Sequence, residues 1–344
     1  MNLLVTGGAG FIGSNFIIYM LNKFPKYKIV NLDLLTYAGN LENLKAVEKH
    51  PNYEFVKGNI CNRELVEYLF SKYEFQGVIH FAAESHVDNS IKNPSAFVET
   101  NVLGTFTVLD VARNTWLDKQ NEVKEKYKNA RFHHISTDEV YGTLGEGGYF
   151  TEDSPYAPNS PYSASKAASD MLVRSYYHTY GLNVVTTNCS NNFGPNQHDE
   201  KLIPTIIRKA LAFESIPIYG EGLNVRDWLF VEDHCRAIDL VFHDGKSGET
   251  YLIGADNERT NLDLVNEICE ILDEKLQLKL KEKEMNSFKQ LITFVDDRPG
   301  HDFRYAIDFS KINLELGFTV SSSKENLSKL IGQIITRTYS LRLN

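Results

Sequence analysis

Six short apolar, β-branched runs punctuate the first half of the chain, at Leu3–Thr6, Ile29–Asp33, Glu54–Val56, Val78–Ala83, Phe132–Ser136 and Val184–Asn188. Longer stretches with helical spacing lie between them, such as Phe16, Ile17, Met20 and Leu21. Parallel strands need a crossover, and a helix is the usual one, so this alternation predicts an α/β fold built on a doubly wound parallel sheet. After Asn188 the rhythm loosens. Pro195, Pro204 and Pro217 break up shorter elements, and helices near Leu262–Leu272 and Ser323–Thr336 lack long strand partners. This pattern predicts a smaller C-terminal α/β domain, with the chain crossing back to the sheet near Asp227–Asp244.

Composition narrows the classes. With 344 residues, 42% of them hydrophobic, the chain has ample material for one large or two modest cores. A net charge of −9 argues against binding nucleic acid through a global positive field. No apolar run reaches the roughly 18 residues that a membrane span needs, and the start lacks the features of a signal peptide. Cys61, Cys189, Cys235 and Cys269 are far apart and form no Cys-x-x-Cys. They read as small buried residues in a reducing, cytoplasmic setting. No metal-ligand spacing is present. The Lys- and Glu-rich stretches Asp118–Lys128 and Lys275–Lys289 read as solvated faces or loops.

The first run feeds Gly7-Gly8-Ala9-Gly10-Phe11-Ile12-Gly13. Early glycines permit a tight strand-to-helix turn and let backbone N–H groups approach a pyrophosphate. The last one lets the helix pack closely, and the helix N-terminus adds partial positive charge. Asp33 ends the next strand, where its carboxylate suits an adenosine ribose and repels a 2′-phosphate. The sheet is therefore expected to be Rossmann-type, with NAD favoured over NADP. Ala82, Ala83 and Ser85 follow the fourth strand, where small side chains let a cofactor lie against the sheet edge or, equally, let a helix pack.

Ser160-Pro161 predicts an N-cap and first helical residue, with the helix running to Tyr180 and stopping at Gly181. Tyr162 and Lys166, at i and i+4, then share one face. A phenol is a poor base near neutral pH. A nearby ammonium, a positive nicotinamide and the helix N-terminus all favour phenolate, which can deprotonate an alcohol as hydride leaves its carbon. Asp138 and Glu139 add a second acid and base that a plain dehydrogenase does not need. Oxidising a hexose at C4 acidifies the C5 proton; a base there and an acid on the C6 hydroxyl would eliminate water. Adjacent carboxyls in unlike environments can hold those two protonation states together. Lys201, Arg226 and Arg298 are candidate cations for a sugar diphosphate. Arg226 and Arg298 read as free of core packing.

The glycine fingerprint, Asp33 and Tyr162/Lys166 resemble the extended short-chain dehydrogenase/reductases. More narrowly, several segments resemble the dTDP-glucose 4,6-dehydratase family. They are Ala82–His86, Ser136–Gly142, Pro161–Lys166, Asn191–Pro195, Glu200–Pro204, Asn224–Trp228 and Asp297–Asp302, and the likeness runs to about Phe318. Asn59 stands where that family usually has Asp, and Phe193 replaces a commoner Tyr. The resemblance implies NAD held by Gly7, Gly10, Phe11, Ile12, Gly13, Asp33, Leu34, Thr36, Asn59, Ile60, Ala82, Ala83, Ser85, Thr100, Tyr162, Lys166 and Asn192. It implies a nucleotide-diphosphate glucose held by Ser85, Thr137, Asn191, Lys201, Leu202, Pro217, Tyr219, Arg226, Asn261, Arg298 and His301. Asp138 becomes the acid at the C6 hydroxyl, Glu139 the base at C5, and Thr137 a partner of the C4 oxygen. It also implies a homodimer joined by a four-helix bundle from Thr100–Trp116 and Ser163–Tyr180, serving deoxysugar synthesis such as that of rhamnose.

The expected domains are a cofactor domain over 1–190 with a return segment at 227–256, and a substrate domain over 191–226 and 257–344. Two other functions compete. A nucleotide-sugar 4-epimerase or decarboxylase would use Tyr162 and Lys166 without needing Glu139. A non-catalytic NAD-binding scaffold would need neither.

Overall fold

The computed structural model describes residues 1–297 and 302–340. In the first half β1 (Asn2–Thr6) passes through the glycine turn to α1 (Phe11–Lys23), then β2 (Lys28–Asp33), β3 (Tyr53–Lys57), α2 (Arg63–Tyr73) and β4 (Gly77–His80). Short helices α3 (Val87–Lys92) and α4 (Pro94–Phe97) and a π-helical turn at Val98–Gly104 precede α5 (Thr105–Trp116). β5 (Arg131–Thr137), α6 (Pro161–Tyr180) and β6 (Val184–Cys189) follow. The second half holds β7 (Asn191–Phe193), α7 (Leu202–Leu211), β8 (Ile216–Tyr219), β9 (Val225–Phe230), α8 (Val231–Asp244), β10 (Thr250–Ile253) and β11 (Glu258–Thr260). It ends with α9 (Asn261–Lys275), α10 (Gln277–Glu282), β12 (Ile292–Val295), α11 (Ser310–Leu316) and α12 (Ser323–Ser340).

Seven parallel strands form the main sheet in the order β10-β6-β5-β4-β1-β2-β3. Strands covered on both faces read as continuous apolar runs, which is why Leu3, Leu4 and Val5, or Val78 and Ile79, carry no alternation. One face packs on α2, α5 and α6 through Phe70, Val108, Trp116 and Val173. The other packs on α1 and α8 through Phe16, Ile17, Ile238 and Phe242. Strand order reverses between β1 and β4, so a crevice opens at their C-terminal ends.

A separate apolar cluster joins α7, β8, α9 and α12 through Ile206, Ile218, Val265 and Ile331. Small sheets β11-β9-β7 and β12-β8 edge this part. After β9 the chain returns along α8 and adds β10 to the rim of the main sheet. Among the described residues no helix is long and apolar enough to cross a membrane.

Three local expectations change. β4 stops at His80, not Ala83, because Phe81 and Ala82 turn to bond Thr6 through its carbonyl and hydroxyl. The Lys275–Lys289 stretch is not wholly solvated: Leu276, Leu280 and Phe288 are buried in the second cluster. Cys61 is only half-buried, unlike the other three free cysteines.

Candidate active site

The glycine turn is held by close approach. Gly7 has φ +70°, and a Cβ there would lie 2.6 Å from the Ala82 nitrogen. A Cβ on Gly13 would meet the Gly7 carbonyl oxygen at 2.5 Å. The turn therefore sits directly against Ala82, and α1 directly on the turn, leaving the N-terminus of α1 at Phe11–Gly13 open toward the crevice. Asp33 is buried and accepts from the Ala9 and Leu35 N–H groups at 2.9 and 2.8 Å. It braces the loop as well as offering a carboxylate to a ribose. The Asp33 carbonyl accepts from Gly58 N at 3.0 Å, tying the end of β2 to the residue before Asn59. Asn59 Oδ1 accepts from Cys61 N, so its carbonyl end serves a turn. The glycine turn lies against Ala82 and is bonded to Asp33 through Ala9, and this cradle has the glycines and the carboxylate that a dinucleotide site needs.

Asn101, which sequence reading missed, fixes the rim of that cradle. Its Oδ1 accepts from Glu84 N at 2.8 Å, and its Nδ2 donates to the Glu84 carbonyl and to Ser165 Oγ. The π-helical turn that carries it, next to Thr100, is a common device at functional sites. Asn192 is buried and donates to the Ser190 carbonyl, while its Oδ1 meets His234 Nδ1 at 2.9 Å.

Helix α6 starts as expected. Ser160 caps it in a reciprocal capping box with Ser163, Pro161 is the first residue, and Gly181 ends it with φ 67°. Tyr162 and Lys166 are both buried on its inner face. Lys166 Nζ donates to the Ile135 carbonyl at 2.7 Å. Burial lowers the Lys166 pKa, opposed by the charge of Asp170. The expected phenolate is not what this protein alone favours: burial, then Glu139, push Tyr162 well above its ordinary value, while a hydrogen bond with Thr137 pulls it down. A nearby positive charge, such as that of a nicotinamide bound in the cradle, would favour the phenolate.

Thr137, Asp138 and Glu139 sit where β5 ends in a short 3₁₀ turn. Asp138 is 2% exposed and Glu139 half-buried. Burial first, and Glu139 second, push the Asp138 carboxyl well above the carboxylate range. Thr137 Oγ1 donates to Asp138 Oδ1 at 3.3 Å, whereas buried Asp138 Oδ2 meets no hydrogen-bond partner among the described residues. A buried carboxyl pushed toward its protonated form and an adjacent, partly exposed one are thus held side by side.

Arg226 departs from expectation. It is buried on β9, donates to the carbonyls of Val225, Asp302 and Phe303, and stacks 4.4 Å from the Tyr305 ring centroid. The segment around Arg304 bridges to both Leu144 and Val225, and this strap closes over the guanidinium. Arg226 and Asp227 still lie close enough to influence Asp138. Asn191 opens β7, Lys201 precedes α7 at Leu202, Pro217 and exposed Tyr219 lie on β8, and Asn261 donates its N–H to the Asn224 carbonyl. His86 and Glu200 approach to 3.5 Å, linking the Ser85 loop to the Lys201 loop. Arg298 and His301 lie outside the described residues. Among those described, no group of three or more His, Cys, Asp or Glu is placed to hold a metal ion.

A family model described as GDP-mannose 4,6 dehydratase matches residues 4–331. The dTDP-glucose 4,6-dehydratase of Xanthomonas campestris pv. campestris is 54% identical over 315 residues, covering 92% of this chain and 87% of its own. The chain belongs to the dTDP-glucose 4,6-dehydratase family. The solved dehydratase from Bacillus anthracis, in complex with NAD, aligns with TM-score 0.82 and 46% identity over 96% of each chain. That of Streptomyces venezuelae, with NAD and TYD bound, aligns with TM-score 0.84 and 42% identity, again over 96% of each. Relatives this close are dehydratases, which favours elimination over 4-epimerisation and over a non-catalytic scaffold.

Proposed function

We propose that this chain converts dTDP-glucose to dTDP-4-keto-6-deoxyglucose. The observation that carries the reading is the buried Asp138 beside Glu139 and near Tyr162, its carboxyl pushed up by burial and by Glu139 and one of its oxygens meeting no hydrogen-bond partner among the described residues. An oxidation at C4 alone needs no such acid. NAD, when bound in the Gly7–Gly13 cradle, supplies the hydride acceptor at C4 and returns the hydride at C6. Tyr162 takes the C4 hydroxyl proton, with Thr137 bonding the same oxygen and Lys166 providing the nearby positive charge. Glu139 removes the C5 proton, now acidified by the adjacent carbonyl, and C5 is reprotonated from the Glu139 side once hydride has returned to C6. Asp138 gives its proton to the C6 hydroxyl, which leaves as water.

The wider residue sets follow as proposals. The cradle residues named above hold the dinucleotide, with Asn192 and Thr100 at its nicotinamide end. Asn191, Lys201, Leu202, Pro217, Tyr219, Arg226, Asn261, Arg298 and His301 hold the nucleotide and its diphosphate. We assign residues 1–190 and 227–256 to the cofactor domain and 191–226 and 257–344 to the substrate domain. Exposed Val98, Leu103, Phe106 and Met171 on the π-turn, α5 and α6 support a homodimer through that face. Four free thiols fit action in the cytoplasm.

Incubating the protein with dTDP-, UDP- and GDP-glucose and substoichiometric NAD, followed by mass analysis, tests the reading. Loss of one water from dTDP-glucose supports it. Isomerisation without mass loss, or no change, contradicts it.

A further inference from the structure

Asp170 lies one helical turn beyond Lys166 on α6, and 4% of it is exposed. Three donors and one histidine nitrogen converge on its carboxylate. His134 Nε2 reaches Oδ1 at 3.0 Å; Ser136 Oγ, Tyr156 OH and Asn188 Nδ2 reach Oδ2 at 2.9, 2.9 and 3.1 Å. These donors come from β5, β6 and the loop before α6. Asn188 Nδ2 also donates to the Thr137 carbonyl at 3.0 Å, and Ser136 immediately precedes Thr137.

We propose that Asp170 is a positioning residue for the reaction: it clamps the helix bearing Tyr162 and Lys166 to the strand end bearing Thr137, Asp138 and Glu139, and it supplies the buried negative charge that Lys166 faces. The proposal rests on the catalytic reading of Tyr162 and Lys166. Asp170 touches none of the reacting groups itself. It reaches Thr137 through Asn188 and Ser136, and Lys166 through charge.

The charged and titratable groups around this pair decide what pH should do. Asp170 faces Lys166 on its own helix, His134 on β5, and Tyr141 and Tyr156 from the segment between β5 and α6. Lys166 also faces His80 on β4 and Cys189 on β6. Burial favours neutral histidines at His80 and His134 and a neutral thiol at Cys189, so Asp170 is the anion opposing burial at Lys166. Removing its charge makes Lys166 lose its proton at lower pH.

Asp170→Asn is the test, with the rate of 340 nm absorbance gain on adding dTDP-glucose to NAD-loaded enzyme measured across pH. The alkaline limb should move down by at least about one pH unit, with NAD and nucleotide affinities changed less than about threefold. A lower rate at every pH with the limb unmoved would mean a purely structural residue and overturn the proposal. If Asp170→Asn does not fold, Lys166→Met/Asp170→Asn should, because it removes both buried charges together. A double variant that also fails overturns the charge pairing. Tyr162→Phe, run alongside, separates the two readings: if it reduces bound NAD normally, the catalytic assignment is wrong, whatever Asp170→Asn does.

Discussion

Lys166 Nζ donates to the Ile135 carbonyl at 2.7 Å, two residues before Thr137 on the same strand. The ammonium is thereby pinned to the sheet beneath the site and cannot swing away when Tyr162 changes its protonation state. In the proposed reaction Tyr162 is the member of the pair that takes the substrate proton.

Tyr162→Phe should therefore abolish the first step. The ring keeps its packing against Phe97, a T-shaped contact with centroids 6.3 Å apart, so folding and ligand binding should persist. Initial absorbance gain at 340 nm on adding dTDP-glucose should fall at least ~10²-fold. Unchanged gain would remove Tyr162 from the reaction.

Asp138→Asn should trade activity against stability. A carboxyl raised in the folded chain is at no disadvantage below its unfolded pKa, about 3.9, and destabilises the fold increasingly as pH rises from there toward its folded value. Asp138 is raised, so the neutral amide should stabilise the protein near pH 7 by roughly 1–2 kcal/mol, and not below pH 4. Turnover should drop ~10²–10⁴-fold. A 6-fluoro substrate, whose fluoride leaves with less need of an acid, should recover part of it. Denaturant titration at two pH values and product assays check both halves.

Arg226→Lys should weaken nucleotide-sugar binding by about 2–3 kcal/mol while NAD affinity stays within about twofold. The lysine keeps the charge but loses the fork that now engages three carbonyls and the Tyr305 face. Calorimetric titration of each ligand decides it. Equal losses for both would indicate a folding defect.

The local geometry of α6 was readable in the sequence, because each of its signals was contained in a few residues. Ser160-Pro161 opened α6 and Gly181 closed it as the capping rules require, and Tyr162/Lys166 shared the buried face that i,i+4 spacing demands. Arg226 was misread because its burial comes from Asp302–Tyr305, more than seventy residues later. Asn101 and Asp170 were invisible for the same reason: their partners lie on other strands and helices, and a lone Asn or Asp has no pattern. The apparent strand at Phe81–Ala83 failed because its backbone is diverted to Thr6 by the glycine turn it packs against.

Met171→Glu should give a monomer if the exposed apolar face of α5 and α6 joins two copies. Met171 on α6 is 53% exposed, and Leu103, on the π-helical turn that leads into α5, is 50% exposed. Sedimentation at micromolar protein should find a dimer for the native chain and a monomer for the variant. A native monomer ends the proposal.

The most direct test of elimination through Glu139 is the fate of the C5 hydrogen. Product formed early in turnover in D2O should carry one solvent deuterium at C5. Glu139→Gln should form none, while its 340 nm absorbance still rises when dTDP-glucose is added. Product that retains its original C5 hydrogen, or a Glu139→Gln variant that turns over at the native rate, would contradict the mechanism.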